Sequence, residues 1–357
     1  MAEEPLIDFI EQVSGSTHLK VEENLGDGYV RLKTEEAERR QAAHDIRYTE
    51  DAVIELLRNS RDAGADHIYI ATAREADLRT LTVIDDGGGI PEHLHQLVFD
   101  ARVTSKLDTM VADDWGVHGR GMALFSIKSN VLSARVAASS PGLGTAVQIE
   151  IDTATLAERA DQSSFPLVRR DDEGRFVVAK GPRNILRTAT EFALAHPSRP
   201  QVYVGSPAEI AATLVDQASR VLSSDTLLFT DDPSVLPLTQ RLAAAADAAE
   251  FMAIAATLGL GLSERTAHRI LAGQIAALPD LATRARRNRS SGSERSVDIY
   301  RDSRGLKLAP EDVESFSRTM EKAFEQLAQR YYITLTDLPR VQVKGDVITV
   351  RFPIEKD

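Results

Sequence analysis

The sequence predicts an α+β fold, and three observations carry that reading. Apolar residues recur at helical spacing over 49–62, at Ala52, Val53, Leu56 and Leu57. Two β-rich runs follow at 67–72 and 80–84, flanking the turn-like stretch 74–78. Helical and loop sequence over 92–130 then leads to expected strands at 131–138 and 145–151. Helices and strands mixed in this way point to α+β or α/β rather than an all-helical chain.

The flanking regions extend the pattern. Residues 34–43 (Thr34-Glu-Glu-Ala-Glu-Arg-Arg-Gln-Ala-Ala) predict a short charged helix with Thr34 as its N-cap. Past residue 160, strands are expected at 176–179, 201–205 and 226–230, with helices at 183–195 and 207–222 between them. Residues 238–278 read as helical, interrupted at 259–263. A long helix over about 310–330 and a strand pair closed by Lys344-Gly-Asp346 end the chain. The expected organisation is a first domain with an N-terminal arm over 1–160 and an α/β extension over 161–235. A helical, helix-turn-helix-like module over 236–290 and a helix-plus-hairpin region over 291–357 complete it.

Composition narrows the function classes. The 357 residues contain no cysteine, which excludes disulfides, thiolate zinc sites and a cysteine nucleophile. The opening Met1-Ala-Glu-Glu-Pro-Leu is acidic and lacks the features of a secretory signal. The most apolar stretch, 242–262, is interrupted by Asp247 and Glu250, so no membrane span is expected and the cytoplasm is the default compartment. A net charge of −12 argues against non-specific coating of nucleic acid. A local exception is 284–304, where Arg284, Arg286, Arg287, Arg289, Arg295, Arg301 and Arg304 face only three acids. It reads as a solvated basic linker or as a contact for nucleic acid or another partner.

Four short elements carry chemistry. In Glu55-Leu-Leu-Arg-Asn59-Ser-Arg-Asp62-Ala63-Gly, Glu55 and Asn59 are one helical turn apart and can address one ligand. An Asn carboxamide oxygen together with phosphate oxygens suits magnesium, and a carboxylate one turn away could activate water. In Asp85-Asp-Gly87-Gly-Gly89-Ile90, which closes a strand, glycines allow close backbone approach to a flat ligand. Asp85 could accept a hydrogen bond from the exocyclic amine of adenine, a contact guanine does not offer at that edge. The third element is Thr104-Ser105-Lys106 with Trp115-Gly116-Val117-His118-Gly119-Arg120-Gly121-Met122, spaced glycines opening a helix as a phosphate-cradling nest. It fits neither the Rossmann nor the P-loop spacing. The fourth is Gly142-Leu-Gly144-Thr145, a turn entering a strand.

In this order and at these separations, the elements over about 49–151 resemble the motifs of the GHKL superfamily (gyrase, heat-shock chaperone, histidine kinase, MutL). They look most like those of MutL and of topoisomerase VI B subunit-like members. The resemblance implies a two-layer α/β sandwich, the Bergerat fold, with ATP and Mg2+ as cofactors. It implies Glu55 as general base, Asn59 as magnesium ligand, and Asp62 and Ala63 shaping the pocket floor. Asp85 would recognise adenine, supported through water by Thr145, with Gly87 and Gly89 lining the base pocket. Lys106, Gly119, Arg120 and Gly121 would contact phosphates. Ile90, Thr104, Ser105, Gly116, Val117, His118 and Met122 complete the expected nucleotide-binding set. Arg58 stands where MutL-like sequences usually carry an acid. The γ-phosphate lysine of such ATPases is not placed, Lys307 being a candidate only.

Hydrolysis is favoured over protein kinase activity. His44-Asp-Ile-Arg47 mimics a phospho-acceptor box but lies only eleven residues before Glu55. The expected function is therefore an Mg-dependent ATPase whose cycle closes a lid and drives homodimerisation, in DNA metabolism. A nucleotide-gated protein-interaction module and a GHKL-type kinase are the alternatives. DNA contact is expected through 263–304, where Arg265, His268 and Arg269 share a helix. The competing reading there is an ordinary helical hairpin with Ala267, Ile270 and Leu271 packed inward.

Overall fold

The computed structural model describes residues 21–34, 36–105, 111–113, 116–118, 121–222, 232–287, 310–331, 333–344 and 347–356. It comprises two compact units, Met1–Arg289 and Ser290–Asp357.

The first unit begins with β1 (Val21–Gly26), β2 (Tyr29–Leu32), α1 (Glu36–Ala43), α2 (Thr49–Asp62), β3 (His67–Glu75) and β4 (Leu78–Asp85). Next come β5 (Val103–Thr104), β6 (Val111–Asp113), β7 (Gly116–His118), α3 (Ala123–Asn130), β8 (Ser133–Ser140) and β9 (Gly144–Asp152). It continues with β10 (Leu167–Arg170), β11 (Phe176–Lys180), α4 (Ile185–Ala195), β12 (Gln201–Gly205) and α5 (Pro207–Val221). A 3-10 turn at Leu238–Ala244, α6 (Ala248–Thr257), α7 (Glu264–Leu271) and α8 (Leu281–Arg287) complete it.

Five strands form one mixed sheet in the order β12-β3-β4-β9-β8. β12 runs parallel to β3, and the other pairs are antiparallel. Strand alternation sends successive side chains to opposite faces. One face carries Ile68, Ile70, Leu81, Val83, Ile149, Ile151, Val202 and Val204, packed against Val53, Leu56 and Leu57 of α2 and Phe192 of α4. The other carries Tyr69, Ala71, Ile84, Ala146 and Tyr203, covered by Ile210 and Leu214 of α5, Phe251 and Ala255 of α6, and Ala267 and Ile270 of α7. Beyond the α/β sandwich of 44–155, the later helices therefore supply a further layer on the opposite side of the sheet. Their starts are well specified: Ser206 and Glu209 form a capping box on α5, and Asp247 and Ser263 cap α6 and α7.

Several expectations change. Boundaries at 160 and 235 do not separate compact units, because β12 completes the central sheet and the helices after it bury that sheet's second face. α1 is described from Glu36, the expected cap junction at residue 35 lies outside the described residues, and the Thr34 hydroxyl donates to the Leu32 carbonyl at 3.3 Å. Residues 238–244 form a 3-10 turn instead of an α-helix. Ala267 and Ile270 are buried as the hairpin reading expects, but Leu271 is 44% exposed, since α7 ends there and only the first two reach the cluster. The strand expected at 226–230 lies outside the described residues. Three hairpins escaped the sequence reading in whole or in part: β1–β2, which joins β5 in a three-stranded sheet, β6–β7 within the stretch read as helix and loop, and β10–β11, of which only the second strand was expected.

In the second unit, α9 (Pro310–Tyr331) precedes β13 (Ile333–Leu335), β14 (Arg340–Lys344), β15 (Val347–Arg351) and β16 (Ile354–Lys356). β14 and β15 form a hairpin, β13 pairs with β16, and Phe324 stacks on Phe352 at 4.9 Å. Among the described residues, no helix is long and apolar enough to cross a membrane.

Candidate functional site

A cavity of about 880 Å³ opens between α2, the ends of β4 and β9, the β2–β5 pair and the start of α3. Helical periodicity explains the first wall. The face of α2 that packs on the sheet holds Val53, Leu56 and Leu57, while Glu55, Asn59 and Asp62 line the cavity with Ala63 just beyond the helix end. The Asp62 carboxylate also accepts from Arg61 at 2.8 Å.

Asp85 lines the same cavity from the last position of β4, beside the C-terminal end of α2, and is 5% exposed. Ser60 Oγ donates to its Oδ2 at 2.7 Å, and the Gly87 amide donates to Oδ1 at 3.0 Å. Burial pushes the Asp85 carboxyl up to about 6, against the opposing pull of those hydrogen bonds. Thr145 is its cross-strand partner on β9, and the Thr145 hydroxyl sits 3.0 Å from Ser139 Oγ. That Ser139 hydroxyl also accepts from the Ile90 amide at 2.7 Å, which ties the glycine turn to β8. At Gly89, φ is +74°, and a Cβ would lie 1.9 Å from the Ser140 carbonyl oxygen. At Gly144, φ is +93°, and a Cβ would lie 2.1 Å from the Asp85 carbonyl oxygen. No other residue fits without moving backbone: that of Ser140 at Gly89, and that of Asp85 itself at Gly144.

Gly89, Ile90, Thr104, Ser105, Gly121, Met122 and Thr145 line the same cavity as Glu55, Asn59, Asp62, Ala63 and Asp85. Gly87 contributes through its amide. Gly116, Val117 and His118 form β7, paired with β6, and their side chains are outside the described set. Lys106, Gly119, Arg120 and Lys307 lie outside the described residues, as do Arg289, Arg295, Arg301 and Arg304. His44 is exposed on the turn after α1.

Three contributors were not singled out by sequence. Tyr29 lines the cavity from β2, and its hydroxyl bonds the Ser105 side chain while burial raises its pKa. The alternation Tyr29-Val-Arg-Leu32 after the Gly26-Asp-Gly28 turn was the available signal. Ser60 and Ser139 hold Asp85 and Thr145; Ser60 lies inside the stretch 55–64 without having been assigned a role, and nothing local marks Ser139.

Asn59 Nδ2 is one of two buried side-chain polar atoms without a hydrogen-bond partner among the described residues. A buried amide with an unfilled position is costly unless a ligand completes it. No cluster of three or more His, Asp or Glu able to hold a metal occurs among the described residues. The unpaired Nδ2 is a hydrogen-bond donor that suits a phosphate or water oxygen, while the carboxamide oxygen of the same side chain is the kind of atom a hard cation takes alongside phosphate and water oxygens. Arg58, with a side chain 5% exposed, donates from Nη1 to Glu55 Oε1 at 2.5 Å.

Comparison with known proteins agrees with this geometry. Residues 44–155 match the family described as histidine kinase-, DNA gyrase B-, and HSP90-like ATPase. Over 77 residues the chain is 46% identical to a DNA mismatch repair protein MutL of Chelativorans sp., covering 22% of this chain and 12% of that protein. Over 173 residues it is 34% identical to the MutL of Thiobacillus denitrificans, covering 46% of this chain and 27% of that protein. The matches thus span only about an eighth to a quarter of those relatives' lengths. The solved N-terminal domain of a DNA repair protein aligns at 15% identity and a TM-score of 0.25, over 44% of this chain and 60% of that one, too slight a likeness to carry an argument. Residues 44–155 are a domain of the histidine kinase-, DNA gyrase B- and HSP90-like ATPase superfamily, GHKL, built as an α/β sandwich on a mixed sheet.

Proposed function

We propose that this protein binds ATP with Mg2+ in the cavity between α2 and β4 and hydrolyses the γ-phosphate. The observation that carries the reading is the convergence of Glu55, Asn59 and Asp85 on one cavity, with the Asn59 Nδ2 donor unpaired among the described residues and suited to a phosphate oxygen. Asp85 accepts the hydrogen bond of the adenine amine, with Thr145 beside it and the Gly87–Gly89 turn against the base. Asn59 holds the cation together with phosphate oxygens. Bound magnesium supplies charge neutralisation of the triphosphate. Glu55 orients a water and takes its proton as the water oxygen bonds the γ-phosphorus. The bond from that phosphorus to the β,γ-bridging oxygen breaks, and ADP departs.

The nucleotide cycle closes the segment around Thr104, Ser105, Gly121 and Met122 over the phosphates and drives a homodimer. The name that the two relatives share, DNA mismatch repair protein, supports placing the cycle in DNA metabolism. Exposed Arg265, His268 and Arg269 on α7, with Arg286 and Arg287 on α8, would give DNA an electrostatic surface. One experiment covers these points: ATP turnover, oligomeric state and duplex DNA binding of the full chain at low and raised salt, for wild type and Glu55→Gln. Gln keeps a carbonyl acceptor for Arg58. We expect the variant to bind ATP, to lose turnover by roughly 10²- to 10⁴-fold and to accumulate as a dimer. Full turnover by the variant refutes the assigned base. Indifference to DNA at low salt favours a nucleotide-gated protein-interaction module, and transfer of labelled phosphate onto protein favours a kinase.

A further inference from the structure

Arg58 puts a cation on the cavity wall one helical turn from Glu55. Its guanidinium lies on the cavity wall beside Asn59, almost wholly buried, and donates to Glu55 Oε1 across one helical turn. The Glu55 side chain is itself only 20% exposed, so little water screens the pair. A charge-assisted hydrogen bond is about twice as strong as a neutral one. It also occupies carboxylate electron density that a general base offers to the proton of an attacking water.

We propose that Arg58 is a positioning residue that restrains Glu55, slowing proton uptake and prolonging the nucleotide-bound state. The restraint rests on the reading of this cavity as an ATP site. Arg58 itself gains and loses no bond to the substrate in the hydrolytic step. It acts through the orientation and proton affinity of the carboxylate, so kcat should respond and KM should not.

The test is steady-state ATP turnover by the full chain with Mg2+, reading kcat and KM separately, alongside equilibrium binding of a nonhydrolysable ATP analogue. Arg58→Ala should raise kcat about tenfold, the equivalent of one hydrogen bond to a charged group, with KM within about threefold. Arg58→Lys retains a cationic donor on a shorter, single-point head, so its kcat should fall between those of wild type and Arg58→Ala. Arg58→Gln removes the charge at similar length and should give the same direction of change if the alanine variant does not fold. The pair Glu55→Gln/Arg58→Ala should be as inactive as Glu55→Gln alone, because the gain passes through the carboxylate. A merely structural arginine cannot raise turnover. An unchanged or reduced kcat in Arg58→Ala or Arg58→Gln that still bind the analogue overturns the restraint alone. Failure of the wild type to bind the analogue removes the ATP reading and the restraint with it.

Discussion

The two faces of the central sheet do different work with alternate residues of the same strands. On β4, Val83 and Asp85 line the cavity while Ile84 between them packs under the later helices. On β9, Thr145 and Val147 line the cavity while Ala146 faces the opposite way. The cavity face accepts a buried carboxylate and an amide nitrogen with no hydrogen-bond partner among the described residues, both costly to bury. The opposite face is a close-packed apolar layer, with the Thr82 hydroxyl and the Gln148 amide both donating to the Gly259 carbonyl at 2.8 Å. A one-residue slip of β4 would exchange Asp85 with Ile84, so packing on one side sets the register on which chemistry at the other depends.

That division can be broken from either side. The larger effect is expected from Phe251→Ala on the packing face, where the ring is fully buried. It should cost about 3–5 kcal/mol in chemical denaturation. Affinity for a nonhydrolysable ATP analogue, measured well below the unfolding transition, should stay within about twofold. A stable variant with lost affinity would show that the faces are not separable.

The smaller effect is a pH dependence at the cavity face. With the Asp85 carboxyl pushed up to about 6, the ionised form that accepts the adenine amine is depleted in acid. Analogue affinity should fall about tenfold between pH ~7.5 and pH ~5. The stability of the nucleotide-free protein carries the opposite sign. Because the folded-state value lies above the ordinary 3.8, this group's contribution is present below about pH 4 and is lost as pH rises through about 6. Affinity that is flat or rises toward acid would remove Asp85 as the ionised acceptor.

The same division explains how much could be read from sequence. Glu55, Asn59, Asp85 and Thr145 lie in short stretches whose spacing is itself the signal, and the structure brings those four to one cavity. The elements of 49–85 were legible too, since α2 spans Thr49–Asp62 with its apolar stripe inward and β3 and β4 contain the expected runs. Contacts that close over long separations were not. Thr82 meets Gly259 across 177 positions, and no local pattern shows that helices after residue 206 cover the second face. Tyr29 reaches the cavity because β2 pairs with β5 at Val30 and Thr104, a register fixed by tertiary packing. Leu271 has helical spacing from Ala267, yet it stays exposed at a helix end.

The most direct test is a calorimetric titration of the wild-type chain and of Asp85→Ala with nonhydrolysable ATP and GTP analogues, magnesium present. The account predicts one ATP analogue bound per chain, little or no binding of the GTP analogue, and a roughly 10- to 100-fold loss of ATP-analogue affinity in the variant. Equal affinity of wild type for both analogues, or an unchanged affinity in a folded Asp85→Ala, would contradict it.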